Sequence, residues 1–294
     1  MHLSENDILR RVRKVEIKTR GLSDEIFAGK YHTAFRGRGM SFSEVREYRV
    51  GDDVRDIDWN VSARSERTHV KVYEEERELT MMLLVDVSPS RMFGSKELTK
   101  KNVITEIAAT LAFSAAKNND KVGCILFSDR VEKFIPPKKG RSHILAIIRE
   151  LVGFEPVGTS TNISEALRYL VGVNKKRTTS FLLSDFVNSP EDNLALEDAL
   201  KIASSKHDIM AIRVYDERDS VLPNVGIVEL RDSESGRTEW VDTSSRKVRN
   251  FWAESYRERH ERVTSLLRHN RVDVADVATD DDYVVNLIKM FKKR

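Results

Sequence analysis

The sequence predicts an α/β protein of the doubly wound class: a mostly parallel sheet with helices on both faces, preceded by a small β-rich N-terminal segment. Two observations lead there. Met81-Met82-Leu83-Leu84-Val85 is an unbroken apolar run, too short for a helix and typical of a strand buried on both faces. From residue 80 onward, strand-like runs alternate with helical ones, which demands crossover connections and therefore a largely parallel sheet.

Taken in order, residues 1–79 read as a β-rich lead-in packed on a main domain of 80–294. Residues 7–20 alternate charge with Ile8, Leu9, Val12, Val15 and Ile17, an amphipathic helix or an extended arm. Gly37 and Gly39 permit turns closed to other residues. Gly51-Asp52-Asp53-Val54-Arg55-Asp56-Ile57-Asp58-Trp59 is a dense acidic turn against an aromatic, and Val70–Glu74 alternates at the strand period. Phe42, Tyr48 and Trp59 are expected to pack as a small layer. Beyond residue 80, strands are expected at 81–86, 121–127, 179–184, 208–214 and 271–276, with a hairpin partner at 131–135. Helices are expected at 98–117, 142–151, 162–172, 192–205 and 281–292. The 81–86 strand should be central, with 121–127 and 179–184 near it. A hairpin at about 225–241 breaks the rhythm. It should project from the domain, add no strand to the middle of the sheet, and lead into a long charged helix at about 245–268.

Composition narrows the function classes. Hydrophobic residues make up 40% and charged residues 33% of 294, as expected of a globular chain with a heavily ionised surface. Lys+Arg 50 against Asp+Glu 47 leaves +3, too balanced to argue for nucleic acid. The single cysteine, Cys124, excludes an internal disulfide and reads as a small buried hydrophobe. The first residues lack the apolar core of a signal peptide, and no apolar run approaches the length of about 18 residues needed to span a bilayer. A cytoplasmic protein without a transmembrane segment is expected.

The candidate chemistry sits where the central strand stops. Asp86-Val87-Ser88-Pro89-Ser90 places three oxygen-bearing side chains at the carboxyl end of a strand, where open α/β sheets bind ligands. Three such oxygens can converge on a hard cation such as Mg²⁺. Phe181-Leu182-Leu183-Ser184-Asp185 ends a second buried run in an acid, so both carboxylates would lie on one edge. Between them in sequence, Gly158-Thr159-Ser160-Thr161-Asn162 feeds a helix start that can share that edge, although such a cluster is first of all an N-cap signal.

Asp86-x-Ser88-x-Ser90, a threonine in the Gly-Thr-Ser-Thr-Asn loop and the later Asp185 resemble the metal-ion-dependent adhesion site of von Willebrand factor type A domains. The resemblance covers about residues 80–294, with the 225–241 hairpin as a departure. It implies a divalent cation, usually Mg²⁺, held by Asp86, Ser88, Ser90, Thr161 and Asp185. Thr161 is chosen by the Thr161-Asn162-Ile163-x-x-Ala166-Leu167 pattern, and Thr159 is the other register. The serines would bind directly and the two aspartates partly through water. Gly37-x-Gly39, Arg46-x-Tyr48, Gly51-Asp52-Asp53-x-Arg55-x-Ile57-Asp58-Trp59, Ala63-Arg64 and Lys71-x-Tyr73-x-x-Glu76 resemble the bacterial family called domain of unknown function 58. Its members carry such a lead-in before a von Willebrand A-like domain and are commonly encoded beside MoxR-type AAA+ ATPases.

These resemblances imply a non-enzymatic, Mg²⁺-dependent protein-interaction module. It would act as an adaptor or chaperone-like factor with a MoxR-type AAA+ ATPase, and with other A-domain proteins. With three neutral hydroxyls and two carboxylates, an octahedral ion keeps positions open for an acidic side chain of the partner. Two other classes stay open. A metal-assisted phosphohydrolase would need a second acid where Ser88 stands, and a lysine partner that the sequence does not single out. An RNA-binding A-type domain would show steep salt dependence. The chain has no phosphate-binding Gly-Lys loop, no Gly-x-Ser-x-Gly elbow, and no second histidine after His260-Glu261. The Asp56-x-Asp58-x-Asn60 run starts like a calcium loop, but Val61 stands at the required glycine. Its carboxylates are expected to pair with Arg46, Arg55 or Arg64 and to cap turns.

Overall fold

The structure is a computed structural model describing residues 41–65, 67–74, 79–95, 98–187, 192–231 and 237–293, with Arg10 and Arg13. Those two excepted, the helix or arm expected at 7–20 lies outside the described residues, as do Gly37 and Gly39. The chain divides into two compact units, one of them Phe35–Leu79 and the other containing Thr80–Arg294.

In the smaller unit, β1 (Ser41–Glu47) pairs antiparallel with β2 (His69–Glu74) through a bulge between Phe42 and Glu44. The acidic run between them is a series of caps. Asp53 Oδ1 accepts the Arg55 N–H at 2.9 Å, and Asp58 Oδ1 accepts the Asn60 and Val61 N–H groups to start the short helix α1 (Trp59–Ser62). Asp52 takes both terminal nitrogens of Arg46 at 2.7 Å, a bidentate pair that holds its carboxyl down to about 2. Among the described side chains the expected aromatic layer does not form. Trp59 is 68% exposed and Tyr48 36%, while the Phe42 side chain lies outside the described residues. The physical reason is local: the Asp58 cap makes Trp59 the first residue of α1, and the ring faces out.

The larger unit is built on a six-stranded sheet. Its strands are β3 (Thr80–Asp86), β4 (Lys121–Phe127), β5 (Val131–Lys138), β6 (Thr179–Ser184), β7 (Asp208–Tyr215) and β10 (Asp273–Ala278), and their order across it is β10-β7-β6-β3-β4-β5. All neighbours are parallel except β4 and β5. As expected, the apolar run is central and fully buried from Met81 to Val85. Each such Leu or Met contributes roughly 1.5–3 kcal/mol on burial.

Helices α2 (Lys100–Lys117), α3 (Arg141–Gly153), α4 (Ile163–Val173), α5 (Asp192–Lys206), α6 (Glu217–Ser220) and α7 (Arg246–His269) lie in the connections between strands, and α8 (Tyr283–Lys292) follows the last of them. Strand alternation sends Met82, Leu84, Ile125 and Leu182 into one core with Leu167, Leu170, Leu200 and Leu267 from α4, α5 and α7. On the opposite face, Phe181 meets Phe291 of α8 edge-on, and Thr110 of α2 bonds the Tyr283 hydroxyl.

Two boundaries differ from expectation for physical reasons. β5 runs on through Pro136 and Pro137, which an edge strand tolerates because one side of its backbone needs no partner. The last strand starts at Asp273 rather than 271. Asn270 ends α7, and Arg271 turns the chain with φ 57° before pairing resumes. The insertion forms a separate antiparallel pair, β8 (Ile227–Arg231) and β9 (Thr238–Asp242), and adds nothing to the sheet, as expected.

Candidate metal centre

Every parallel strand ends on one edge, and each is followed there by a polar residue or ends in one. Asp86 closes β3 beside Ser184 of β6, and the Ser184 hydroxyl donates to Asp86 Oδ2 at 2.6 Å. Asp86 Oδ1 accepts the Ser88 N–H at 2.9 Å, curling the chain so that the Ser88 and Ser90 hydroxyls stand 2.9 Å apart. Both serines are buried. Asp185 follows Ser184 directly. At Phe186 the backbone turns through the left-handed region, φ 56°, and its N–H bonds the Ser184 hydroxyl. Asp86 is pushed up to about 6, first by burial and then by the Asp185 charge, against hydrogen bonds from Ser184 and Ser88.

The helix-start loop that carries Thr161 is tied to the end of β4, where the Asn162 N–H donates to the Ser128 carbonyl at 2.8 Å. Thr161 is 1% exposed, and its Oγ1 is buried with no hydrogen-bond partner, whereas Thr159 is exposed. Asn162 is the N-cap of α4, accepting the Glu165 N–H at 3.1 Å, as the loop's composition suggests. The loop is held from β5. Glu132 Oε1 accepts the Val157 and Gly158 N–H groups at 3.0 and 2.7 Å and the Ser128 hydroxyl at 2.6 Å. Position 158 has no room for a Cβ, which would run into Ser128 Oγ and Asp129 Oδ1. The glycine is therefore set by close approach.

Two buried cations complete the electrostatics, and sequence reasoning identified neither. Lys100, 2% exposed at the first position of α2, puts Nζ 3.2 Å from Asp185 Oδ2 and 2.8 Å from Asp219 Oδ2. Burial would lower its pKa, but these two carboxylates raise it. Arg91, 3% exposed, donates to the Phe154 carbonyl at 2.7 Å and lies close enough to Asp86 to feel its charge; burial lowers its pKa to about 10. Among the described residues no three His, Cys, Asp or Glu side chains gather as a metal cluster, the 52–58 run included.

The donor set fits a hard divalent ion: a buried Asp86 carboxylate disfavoured by desolvation and by the Asp185 charge, two adjoining serine hydroxyls, and a buried threonine oxygen that the protein leaves unpartnered. Lys100, shared with Asp219, and Arg91 already offset part of the negative charge of the two acids, so an ion would compete with built-in charge. No helix among the described residues is long and apolar enough to cross a membrane.

Comparison with known proteins places these features. The chain is 27% identical over 287 residues to uncharacterized protein Rv1480 of Mycobacterium tuberculosis, covering 96% of this chain and 88% of that protein. The crystal structure of conserved hypothetical protein BatB from Bacteroides thetaiotaomicron shares the fold with a TM-score of 0.51 at 14% identity, over 73% of this chain and 98% of that one. An aerotolerance-related membrane protein from Bacteroides fragilis does so with 0.50 at 15%, over 74% and 100%. The sequence matches the family described as protein of unknown function DUF58 over residues 44–262. On that match, and with this strand order, the chain belongs to the DUF58 family and has a von Willebrand A-like fold.

Proposed function

We propose that this edge is a Mg²⁺ site through which the protein docks an acidic partner. Asp86, Ser88, Ser90, Thr161 and Asp185 would hold the ion, which when bound supplies an open position for a foreign carboxylate. The observation that carries the reading is the Thr161 hydroxyl, buried and unpartnered in a loop tied to the end of β4, next to the strand whose Asp86 is disfavoured by burial and by the Asp185 charge. An unsatisfied buried hydroxyl costs roughly 1–3 kcal/mol, a cost that a ligand on the edge would offset. The chain's own residues do the rest: Ser184 and the Ser88 N–H orient Asp86, and Glu132 positions the threonine loop, while Lys100 pairs with Asp185 until an ion competes for it.

The von Willebrand A-like fold supports a protein-interaction module. Assigning a MoxR-type AAA+ ATPase as the partner, with the chain as adaptor or chaperone-like factor, rests on the family resemblance and is part of the proposal. Calorimetry with purified ATPase, in Mg²⁺ and in EDTA, tests it. Ser88→Ala and Asp185→Ala should weaken binding at least about tenfold, EDTA should mimic both, and the fold should persist. Equal affinities throughout would overturn the metal's role, and no binding in Mg²⁺ would overturn the partner.

A second reading, metal-assisted phosphoryl chemistry, gains one observation from the structure: a lysine does stand at the edge. Lys100 is, however, shared between Asp185 and Asp219, and the second acid is still replaced by Ser88. Mg²⁺-dependent turnover of p-nitrophenyl phosphate, lost in Asp86→Asn, would favour it over docking.

A further inference from the structure

A cavity of about 910 Å³ begins at the candidate metal edge and runs away from it. Ser90, Lys100 and Asp185 form its near end. Its far walls are the inserted hairpin, through Val228, Leu230 and Val241, and α7, through Trp252 and Tyr256. The hairpin was expected to project from the domain; instead one face of it encloses this groove, while Ile227 and Trp240 remain 68% and 72% exposed. Val228 pairs with Val241 across the hairpin, so the apolar side chains present a common surface to the groove.

The lining charges are unbalanced. Lys100 is shared between Asp185 and Asp219, and Arg213 gives its Nε to Asp276 at 2.6 Å. Arg218, Arg231 and Arg259 also line the cavity, and none has a carboxylate ion-pair partner among the described residues. Of the lining acids, only Glu239 stands outside the Lys100 network. An apolar floor with surplus guanidinium groups, leading to an edge that would hold a cation, complements a ligand that alternates acids with aliphatic side chains.

We infer that the groove takes an extended acidic segment of a partner protein. One carboxylate sits at the metal edge, aliphatic side chains lie between hairpin and α7, and a further acid meets Arg259. The inference rests on the metal reading above and names the chemistry of the partner.

Fluorescence anisotropy on the full chain in Mg²⁺ tests it with three labelled peptides of equal length, alternating Glu with Leu, Lys with Leu, and Glu with Ser. The Glu-Leu peptide should bind at least about tenfold more tightly than either other. Arg259→Glu and Leu230→Asp should each cost it about tenfold or more while leaving Mg²⁺ affinity, titrated without peptide, unchanged. Arg259 is exposed on α7, so its reversal leaves the fold intact even if the hairpin substitution does not. No preference for the Glu-Leu peptide, or wild-type affinity in Arg259→Glu, overturns the inference. Binding that resists EDTA but fails in Arg259→Glu would keep the groove and overturn the metal reading. Binding that needs Mg²⁺ but ignores both variants would do the reverse. Displacement of the peptide by polyuridylic acid at low salt only, with no Leu requirement, would mark a nucleic-acid surface and sink the inference as well.

Discussion

Lys100 is a buried ammonium held between Asp185 and Asp219, and Thr161 carries a buried hydroxyl with no partner among the described residues. Lys100 holds its ammonium against Asp185, so an incoming divalent ion meets a fixed positive charge a few ångströms away. Replacing it with methionine should strengthen Mn²⁺ binding at least about tenfold by calorimetry. The same variant should melt earlier in EDTA, because Asp185 and Asp219 lose their shared cation. Weaker metal binding in Lys100→Met would show that the ammonium organises the site rather than competing for it. Thr161→Val is the complementary test. Removing an unpartnered buried hydroxyl should stabilise the EDTA-treated protein by about 1 kcal/mol in urea melts and, at the same time, weaken Mg²⁺ binding. A variant that loses stability in EDTA would mean that the hydroxyl is satisfied in solution and is no ligand.

At the scale of elements, two acids tie the edge together. Glu132 on β5 fastens the 157–158 backbone, and with it the loop that carries Thr161. Glu132→Ala should cost roughly 1–3 kcal/mol and weaken the ion indirectly, because two backbone donors and the Ser128 hydroxyl lose their acceptor. Asp216, fully buried after β7, receives Ser95 N–H and hydroxyl, the Arg218 N–H and the Thr279 hydroxyl, thereby joining the 95 loop, α6 and the end of β10. Burial alone would raise its pKa, but these hydrogen bonds bring it from 3.8 down to about 2. The native carboxylate thus holds its proton less tightly than the unfolded one. Its stabilisation is complete above about pH 4 and is lost as pH falls toward 2, a contribution of about 2 kcal/mol. Asp216→Asn should flatten the stability profile over that interval in urea melts; an unchanged profile would remove Asp216 from the account.

Over the whole molecule, the hairpin is an addition to a sheet that is complete without it. Its base is closed locally: the Thr243 N–H and hydroxyl both donate to the Gly226 carbonyl, and the Val225 N–H donates to the Thr243 hydroxyl. Excising residues 227–242 and joining the ends through a short glycine linker should leave the far-ultraviolet circular dichroism of an intact α/β domain, with Tm lowered by only a few degrees. Mg²⁺ affinity should be unchanged, while the Glu-Leu peptide should no longer bind. Collapse of the domain on excision would make the hairpin part of its core.

Much of this protein is determined by local chemistry that can be read along the chain. An apolar run of strand length has to be buried, an oxygen-rich stop has to lie at its end, and parallel crossovers bring Asp86, Ser184 and Asp185 to one edge, as they do here. The same holds for the acidic lead-in, whose carboxylates cap turns two or three residues away and take Arg46 six residues back. The tertiary structure alone decided the electrostatics of the site and the existence of the groove. Lys100 sits in a Lys-Lys pair at a helix start, and nothing in that local pattern singles it out. It becomes a buried counter-charge because Asp185 and Asp219 arrive from 85 and 119 residues away. Glu132 reaches the 157–158 backbone across 25 and 26 residues, again beyond any local pattern. Ion pairs and cavities between distant segments leave no periodic trace in sequence, because they are set by where backbones end up rather than by how any one of them is patterned.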